Sequence, residues 1–262
     1  MPAPGSSVIL TSADDLDRPV IFLDNDGTLT DGEAMHALYC RRYGELMSRR
    51  YGGAVEDWAD ANSAAFRVMM HWYQDNEAQY ADATFFEGLY RIEAEAAFAH
   101  MGLEPPPWET EGRLVHRRLL FECPAGACAL FAGAREAVLE LAGQGHRLNL
   151  ASNAHSLHCE GVLSGAGLRQ HFVHAFGPDL VNCAAKSAEF YRRACAHVGV
   201  KPEQAILVDD NGSPLAMAQE VGMRTVFVDQ WRSRELPDRA PHATVGSVAE
   251  VPRAIAALAG RE

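Results

Sequence analysis

The chain has 262 residues, 48% of them hydrophobic, and a formal net charge of −12. That composition supports a sizeable core and excludes a disordered chain. The acidic balance argues against nucleic acid or an anionic membrane surface as the main partner, because both reward clustered basic side chains. An anionic substrate would instead need a local cation, and of the 23 basic residues only Lys186 and Lys201 are lysines.

The first predicted strand is Val20-Ile21-Phe22-Leu23, a short apolar run ending at Asp24. Such a run suits a strand covered on both faces, as in a parallel sheet. The acidic, glycine-bearing stretch Asp24 to Gly32 reads as a loop. From Glu33 to about Leu120 the spacing becomes helical. Met35, Leu38, Tyr39, Arg42 and Leu46 share one face of a first helix, and Trp58, Ala65, Phe66, Met69 and Tyr73 one face of a second. Phe86, Leu89, Tyr90, Ala97 and Met101 mark a third, and Leu114 to Leu120 a fourth, with Gly52-Gly53 and Pro105-Pro106-Pro107 as breakers. His36, Arg41, Arg42 and Arg49 read as a solvated face.

Beyond this all-helical block the rhythm is helix, strand, helix, strand. Ala134 to Gln144 is predicted helical, Leu148 to Ser152 a strand, His155 to Gly165 a helix and Phe172 to Phe176 a strand. Ser187 is a predicted cap for a helix reaching His197. Ala205 to Val208 is a strand ending at Asp209-Asp210, Ser213-Pro214 opens a helix to Glu220, Thr225 to Val228 is a strand, and Val248 to Leu258 is largely helical. Strands alternating with helices imply an α/β fold with a parallel sheet.

Four of these strands or their following loops end in polar residues: Asp24 to Thr28, Ser152-Asn153, Lys186, and Asp209-Asp210. Ligands of open parallel sheets bind at the carboxyl ends of the strands, so these residues should converge. Crowded carboxylates need a cation, and an all-oxygen donor set favours Mg²⁺. Lys186 and the metal would neutralise phosphate oxygens and Ser152 would donate to one, while one carboxylate attacks phosphorus and another handles the proton. That inventory suits phosphoryl transfer.

The run Phe22-Leu23-Asp24-Asn25-Asp26-Gly27-Thr28-Leu29-Thr30-Asp31 resembles the first signature of the haloacid dehalogenase superfamily. Leu148 to Asn153 resembles the second, Lys186 the third and Leu207-Val208-Asp209-Asp210 the fourth, in the same order. The stretches Phe131 to Asn153 and Lys186 to Val228 are similar to the phosphoglycolate-phosphatase-like branch. The resemblance implies a Rossmann-like core over 1–32 and 121–262 with a helical cap over 33–120. It implies Asp24 as nucleophile and metal ligand, and Asp26 as general acid/base with its backbone carbonyl on the metal. It further implies Asp210 as second side-chain ligand with Asp209 close by, and Ser152, Asn153 and Lys186 around the phosphoryl group. Asn25, Ser187 and Pro214 stand where the family more often has an apolar residue, a proline and a further polar group.

The expected activity is Mg²⁺-dependent hydrolysis of a small phosphomonoester through an aspartyl-phosphate. Within the resemblance, dehalogenases lack an acid at the position of Asp26, and phosphonatases recruit a cap lysine, whereas Glu33 to Leu120 contains none. A phosphomutase and a non-catalytic binding protein on the same fold are the alternatives. No apolar run approaches the ~20 residues of a membrane span. Met1 to Asp17 shows no signal-peptide pattern, so a cytoplasmic protein is expected. Six cysteines without a Cys-x-x-Cys pair are expected as reduced, mostly buried thiols.

Overall fold

The computed structural model of the chain describes residues 18–77, 80, 82, 84–231 and 239–260. Its centre is a six-stranded parallel sheet in the order β3-β2-β1-β4-β5-β6. The strands are β1 (Val20–Leu23), β2 (Leu148–Ala151), β3 (Phe172–Phe176), β4 (Ala205–Asp209), β5 (Arg224–Val228) and β6 (Ala243–Val245). The uninterrupted apolar runs follow from coverage on both faces. In β1, Ile21 and Leu23 join one core cluster with Leu148, Leu150 and Ile206, while Val20 and Phe22 join the other with Leu207, Phe190 and Tyr191.

The helical block inserted after β1 contains α1 (Gly32–Tyr51), α2 (Val55–Asn76), α3 (Thr84–His100) and α4 (Arg113–Ala125). Asp31 opens α1 by accepting from the Glu33 and Ala34 backbone N–H groups. Trp58 is fully buried among Tyr43, Met47, Phe98 and Leu119, and its indole N–H donates to the Gly52 carbonyl at 2.7 Å. A short π-helical turn, Trp108–Gly112, leads into α4, which runs past Leu120 to Ala125. There α4 lies against α6 (Ser156–Gly165). A Cβ at Gly161 would collide with the Phe121 carbonyl, and one at Gly165 with that of Ala125, so small residues set this approach.

The remaining helices are α5 (Ala134–Gly143), α7 (Pro178–Val181), α8 (Ala188–His197), α9 (Gly212–Glu220) and α10 (Val251–Ala259). Ser187 caps α8 as expected, accepting from the Phe190 N–H. The start of α9 differs from expectation. Its cap is Asn211, whose side chain accepts from the Ser213 N–H, and Pro214 sits inside the first turn, where no N–H is needed. Neither β6 nor α7 was expected, each being too short to carry a periodic pattern. The reading of Met1 to Asp17 lies outside the described residues. Among the described residues, no helix is long and apolar enough to cross a membrane.

Candidate active site

The strand order reverses between β1 and β4, and such a switch point leaves a crevice at the strands' carboxyl ends. Asp24 follows β1 there, while Asp209 ends β4 and Asp210 follows it. All three are buried, at 4%, 0% and 1% exposure, and each offers a carboxylate oxygen within 4.8 Å of the others. Lys186 enters from the loop before α8, itself only 8% exposed. Its Nζ lies 2.6 Å from Asp24 Oδ1 and 2.7 Å from Asp209 Oδ2. Asn153, in the loop after β2, accepts from the Lys186 backbone N–H at 2.8 Å and so fixes where that side chain starts.

These contacts have electrostatic consequences. Burial pushes the Asp24 carboxyl well above the usual carboxylate range, with Lys186 pulling against it. Burial also works against the Lys186 charge, but Asp209 and Asp24 outweigh it and hold the ammonium well above its ordinary value. Donors that are all carboxylate oxygens, each within 4.8 Å of the others, fit a hard divalent cation such as Mg²⁺.

The loop after β1 is built to hold this shape. Asn25 is fully buried, and its backbone carbonyl accepts from the N–H groups of Leu29 and Thr30. Its side-chain amide donates to Asp26 Oδ1 at 3.1 Å, and Thr30 Oγ1 donates to that same oxygen at 3.1 Å. Asp26 is thereby oriented while remaining exposed. Asn25 departs from the family pattern in sequence, and its contact with Asp26 depends on Thr30 folding back beside it, which no local pattern announces.

Thr28 Oγ1 donates to Asp210 Oδ1 at 3.3 Å, and Gln230 Nε2 ties down the Gly27 and Thr28 carbonyls at 3.1 Å each. Gly27 has φ +88, and a Cβ there would lie 2.6 Å from the Asp210 carboxyl carbon. Gly27→Ala is therefore expected to destabilise the fold by about 1–3 kcal/mol from backbone strain and to displace Asp210. Thermal melting and Mg²⁺ titration check this, and an alanine variant with wild-type melting and wild-type Mg²⁺ affinity would contradict it.

Ser152 is buried at 3% exposure beside Cys159, and its Oγ accepts from the Ala154 N–H. The structure thus brings Asp24, Asp209, Asp210 and Lys186 into one buried cluster. Asp26 and Asn153 instead face a cavity of about 470 Å³ between the strand ends and the inserted helices. Tyr39 lines this cavity. Tyr43 packs inside the helical block, Arg42 pairs with Glu45, Arg91 pairs with Glu95, and Trp72 packs on Phe85. His36, expected on a solvated face, also lines the cavity, and Arg41 points to Glu45.

Five of the cysteines are buried, and Cys128 is exposed; all six are free thiols.

The sequence profile of the haloacid dehalogenase-like hydrolases matches residues 19–222. A phosphoserine phosphatase from Thermus thermophilus is 34% identical over 90 residues, 34% of this chain and 36% of that protein. A phosphoglycolate phosphatase from Rhodospirillum rubrum is 26% identical over 126 residues, 48% of this chain and 50% of that protein. The chain therefore spans about a third to a half of the length of these curated relatives. Among solved structures, a 2-haloacid dehalogenase from Pseudomonas syringae superposes with a TM-score of 0.64 at 16% identity, over 92% of this chain and 99% of that one. The magnesium-bound HAD-hydrolase YfnB from Bacillus subtilis gives 0.62 at 17% identity, over 91% and 98%. At such identities the structural likeness speaks for the fold.

Proposed function

Because the chain belongs to the haloacid dehalogenase-like hydrolase family, we propose that it is a Mg²⁺-dependent phosphatase acting on a small phosphomonoester, with Asp24 as nucleophile and Asp26 as acid/base. The observation that carries this reading is the buried Asp24–Lys186–Asp209 arrangement beside Asp210, with Asp26 exposed two residues beyond the nucleophile. Asp24, Asp209 and Asp210, with the Asp26 carbonyl, would hold Mg²⁺. When bound, the ion supplies positive charge for the phosphoryl oxygens.

The chain's own groups then have defined tasks. An Asp24 carboxylate oxygen attacks phosphorus in line, and the bond from phosphorus to the leaving oxygen breaks. Asp26 gives that oxygen a proton, so the leaving group departs as an alcohol and Asp26 is left as a carboxylate. Asp26, now a carboxylate, takes a proton from water as the water oxygen attacks the phosphorus of the aspartyl-phosphate. The bond to Asp24 breaks, freeing phosphate and regenerating the carboxylate. Lys186 Nζ and the Ser152 hydroxyl hold phosphoryl oxygens, and Asn153 keeps Lys186 in place. The N–H groups of Gly27 and Thr28 are already taken by the Thr30 and Asn25 carbonyls. Backbone donation from this loop to phosphate therefore falls to Asn25 and Asp26.

An acid is needed where the leaving group is an alcohol, and Asp26 is oriented through one oxygen by Asn25 and Thr30 while facing the cavity. The test is phosphate release, with Mg²⁺ present, from sugar phosphates, nucleotides, phosphoglycolate and an aryl phosphate. No turnover by the folded protein on any of them would sink the reading. Isomerised product in place of free phosphate would point to a mutase. Asp26→Asn should cut kcat by on the order of 10²–10⁴-fold, and a variant within a few-fold of wild type would remove Asp26 from the chemistry.

The helical block over 33–120 acts as a specificity cap in this proposal, because hydrolysis of the phosphoester is nearly blind to the rest of the substrate.

A further inference from the structure

The cavity above Asp26 has a chemical character of its own. Its cap wall is largely apolar and aromatic, with Met35, Phe66, Met69, Phe86 and Leu89 among the lining side chains, and no lysine or arginine among the described residues lines it. Of its histidines, His155 and His158 are held towards the neutral form by burial, and the His36 ring lies against Cys40 Sγ at 3.5 Å.

Into this wall α3 places a carboxyl, that of Glu93, whose side chain is 15% exposed. No described donor hydrogen-bonds to it. The nearest ring nitrogen, His116 Nε2, is 3.8 Å away, beyond hydrogen-bond distance, and burial drives that histidine down to about 3, so it carries no charge. From α1 it is faced by Tyr39 and Tyr43, which burial keeps un-ionised. Burial alone raises the Glu93 carboxyl to about 7. A carboxyl set in an apolar cavity wall, with no hydrogen-bond donor among the described residues, is placed to accept from a donor that a ligand brings.

We propose that Glu93 receives a hydrogen-bond donor, an amine or a hydroxyl, carried by an apolar or aromatic leaving group, and that this pocket discriminates against leaving groups bearing a carboxylate. The proposal rests on the phosphatase reading above. Phosphoserine and phosphoglycolate, for which the two curated relatives are named, both carry a carboxylate, and phosphoserine carries in addition an amine of the kind Glu93 would receive. In this cavity a carboxylate would meet Glu93 and Asp26, with no lysine or arginine among the described lining residues to receive it.

The test uses phenethyl phosphates with a para aminomethyl, hydroxymethyl, methyl or carboxymethyl group, assayed for phosphate release with Mg²⁺ on the wild type, Glu93→Gln and Glu93→Leu. For the wild type, kcat/KM on the donor-bearing esters should exceed that on the methyl ester by about tenfold, mostly through KM, with the carboxymethyl ester last. In Glu93→Leu the donor-to-methyl ratio should fall towards unity. In Glu93→Gln the hydroxymethyl preference should persist while the aminomethyl preference falls. Leucine removes a buried carboxyl from an apolar wall, so this variant should melt no lower than wild type at pH 8, and glutamine provides an isosteric second variant.

A carboxymethyl ester turned over as well as the donor-bearing ones, or ratios unchanged in Glu93→Leu, would overturn the role of Glu93 while leaving the phosphatase reading intact. No phosphate from any of these esters or from the wider panel would overturn the phosphatase reading itself.

Discussion

Replacing Asp24 with asparagine is expected to abolish turnover, by on the order of 10⁴-fold or more in kcat as for loss of a covalent nucleophile, while the fold survives. An amide oxygen of nearly the same size still accepts from Lys186 Nζ, which lies 2.6 Å from Asp24 Oδ1. The amide does not form a stable phosphoryl ester, so the first step fails. The substitution also removes one of three crowded, buried carboxylates. Because burial already disfavours the charged form of Asp24, melting of the variant should be unchanged or slightly higher in the absence of metal. Two measurements check this together. Acid-quenched wild-type enzyme should yield a phosphorylated peptide containing Asp24, absent from the variant, and thermal melting should show an intact fold. Near-normal turnover in Asp24→Asn would assign the nucleophile elsewhere.

How far the sequence alone reaches can be judged from particular elements. The run Val20–Leu23 is legible because a short apolar stretch ending in an acidic, glycine-bearing loop has few alternatives, and it is the central strand observed. Ser187 is legible as a cap because the interaction is local. At α9 two local caps competed, and Asn211 won over Ser213 because the Asn211 N–H is itself held by Asp209 Oδ1, a contact within the buried cluster. The strand β6 has three residues and depends on pairing with β5, which no local pattern announces.

The cap interior was the least legible part, for a physical reason. Helical periodicity reports that a face is apolar but not what covers it. Trp58 and Phe98 lie on faces that meet each other, whereas Phe66, Met69 and Leu89 lie on faces that meet a cavity. Helical spacing alone does not separate the two sets. Glu93, in the third helix, stands out neither by spacing nor by neighbours, and only the packing of α1, α3 and α4 around it reveals a carboxyl with no hydrogen-bond donor among the described residues.

Lys186→Met should lower stability by about 3–5 kcal/mol, the range for removing one partner of a buried ion pair, and should also remove most activity. The methionine fills much of the same volume, so the loss comes from charge. Asp209 is fully buried and loses its bond at Lys186 Nζ, and Asp24 loses its own. The loop itself need not move, because Asn153 Oδ1 holds the backbone N–H of residue 186 rather than the side chain. For a chain of this size the deficit corresponds to a melting-temperature drop on the order of 10 °C.

Its pH dependence has a definite sign. Burial holds the Asp24 carboxyl above its unfolded value, and without the ammonium nothing pulls against it, so the folded variant binds more protons than the unfolded chain. Stability is then lost as pH rises through that window and regained as it falls, and the deficit should be smaller at pH 5 than at pH 8. Added Mg²⁺ should recover part of it, since an ion bound by the folded state alone stabilises by mass action. Lys201, exposed in the loop before β4, is the internal control. Lys201→Met should shift stability by no more than about 0.5 kcal/mol. A Lys186 variant as silent as the Lys201 variant, in both melting and phosphate release, would mean that the buried ion pairs do not organise this site.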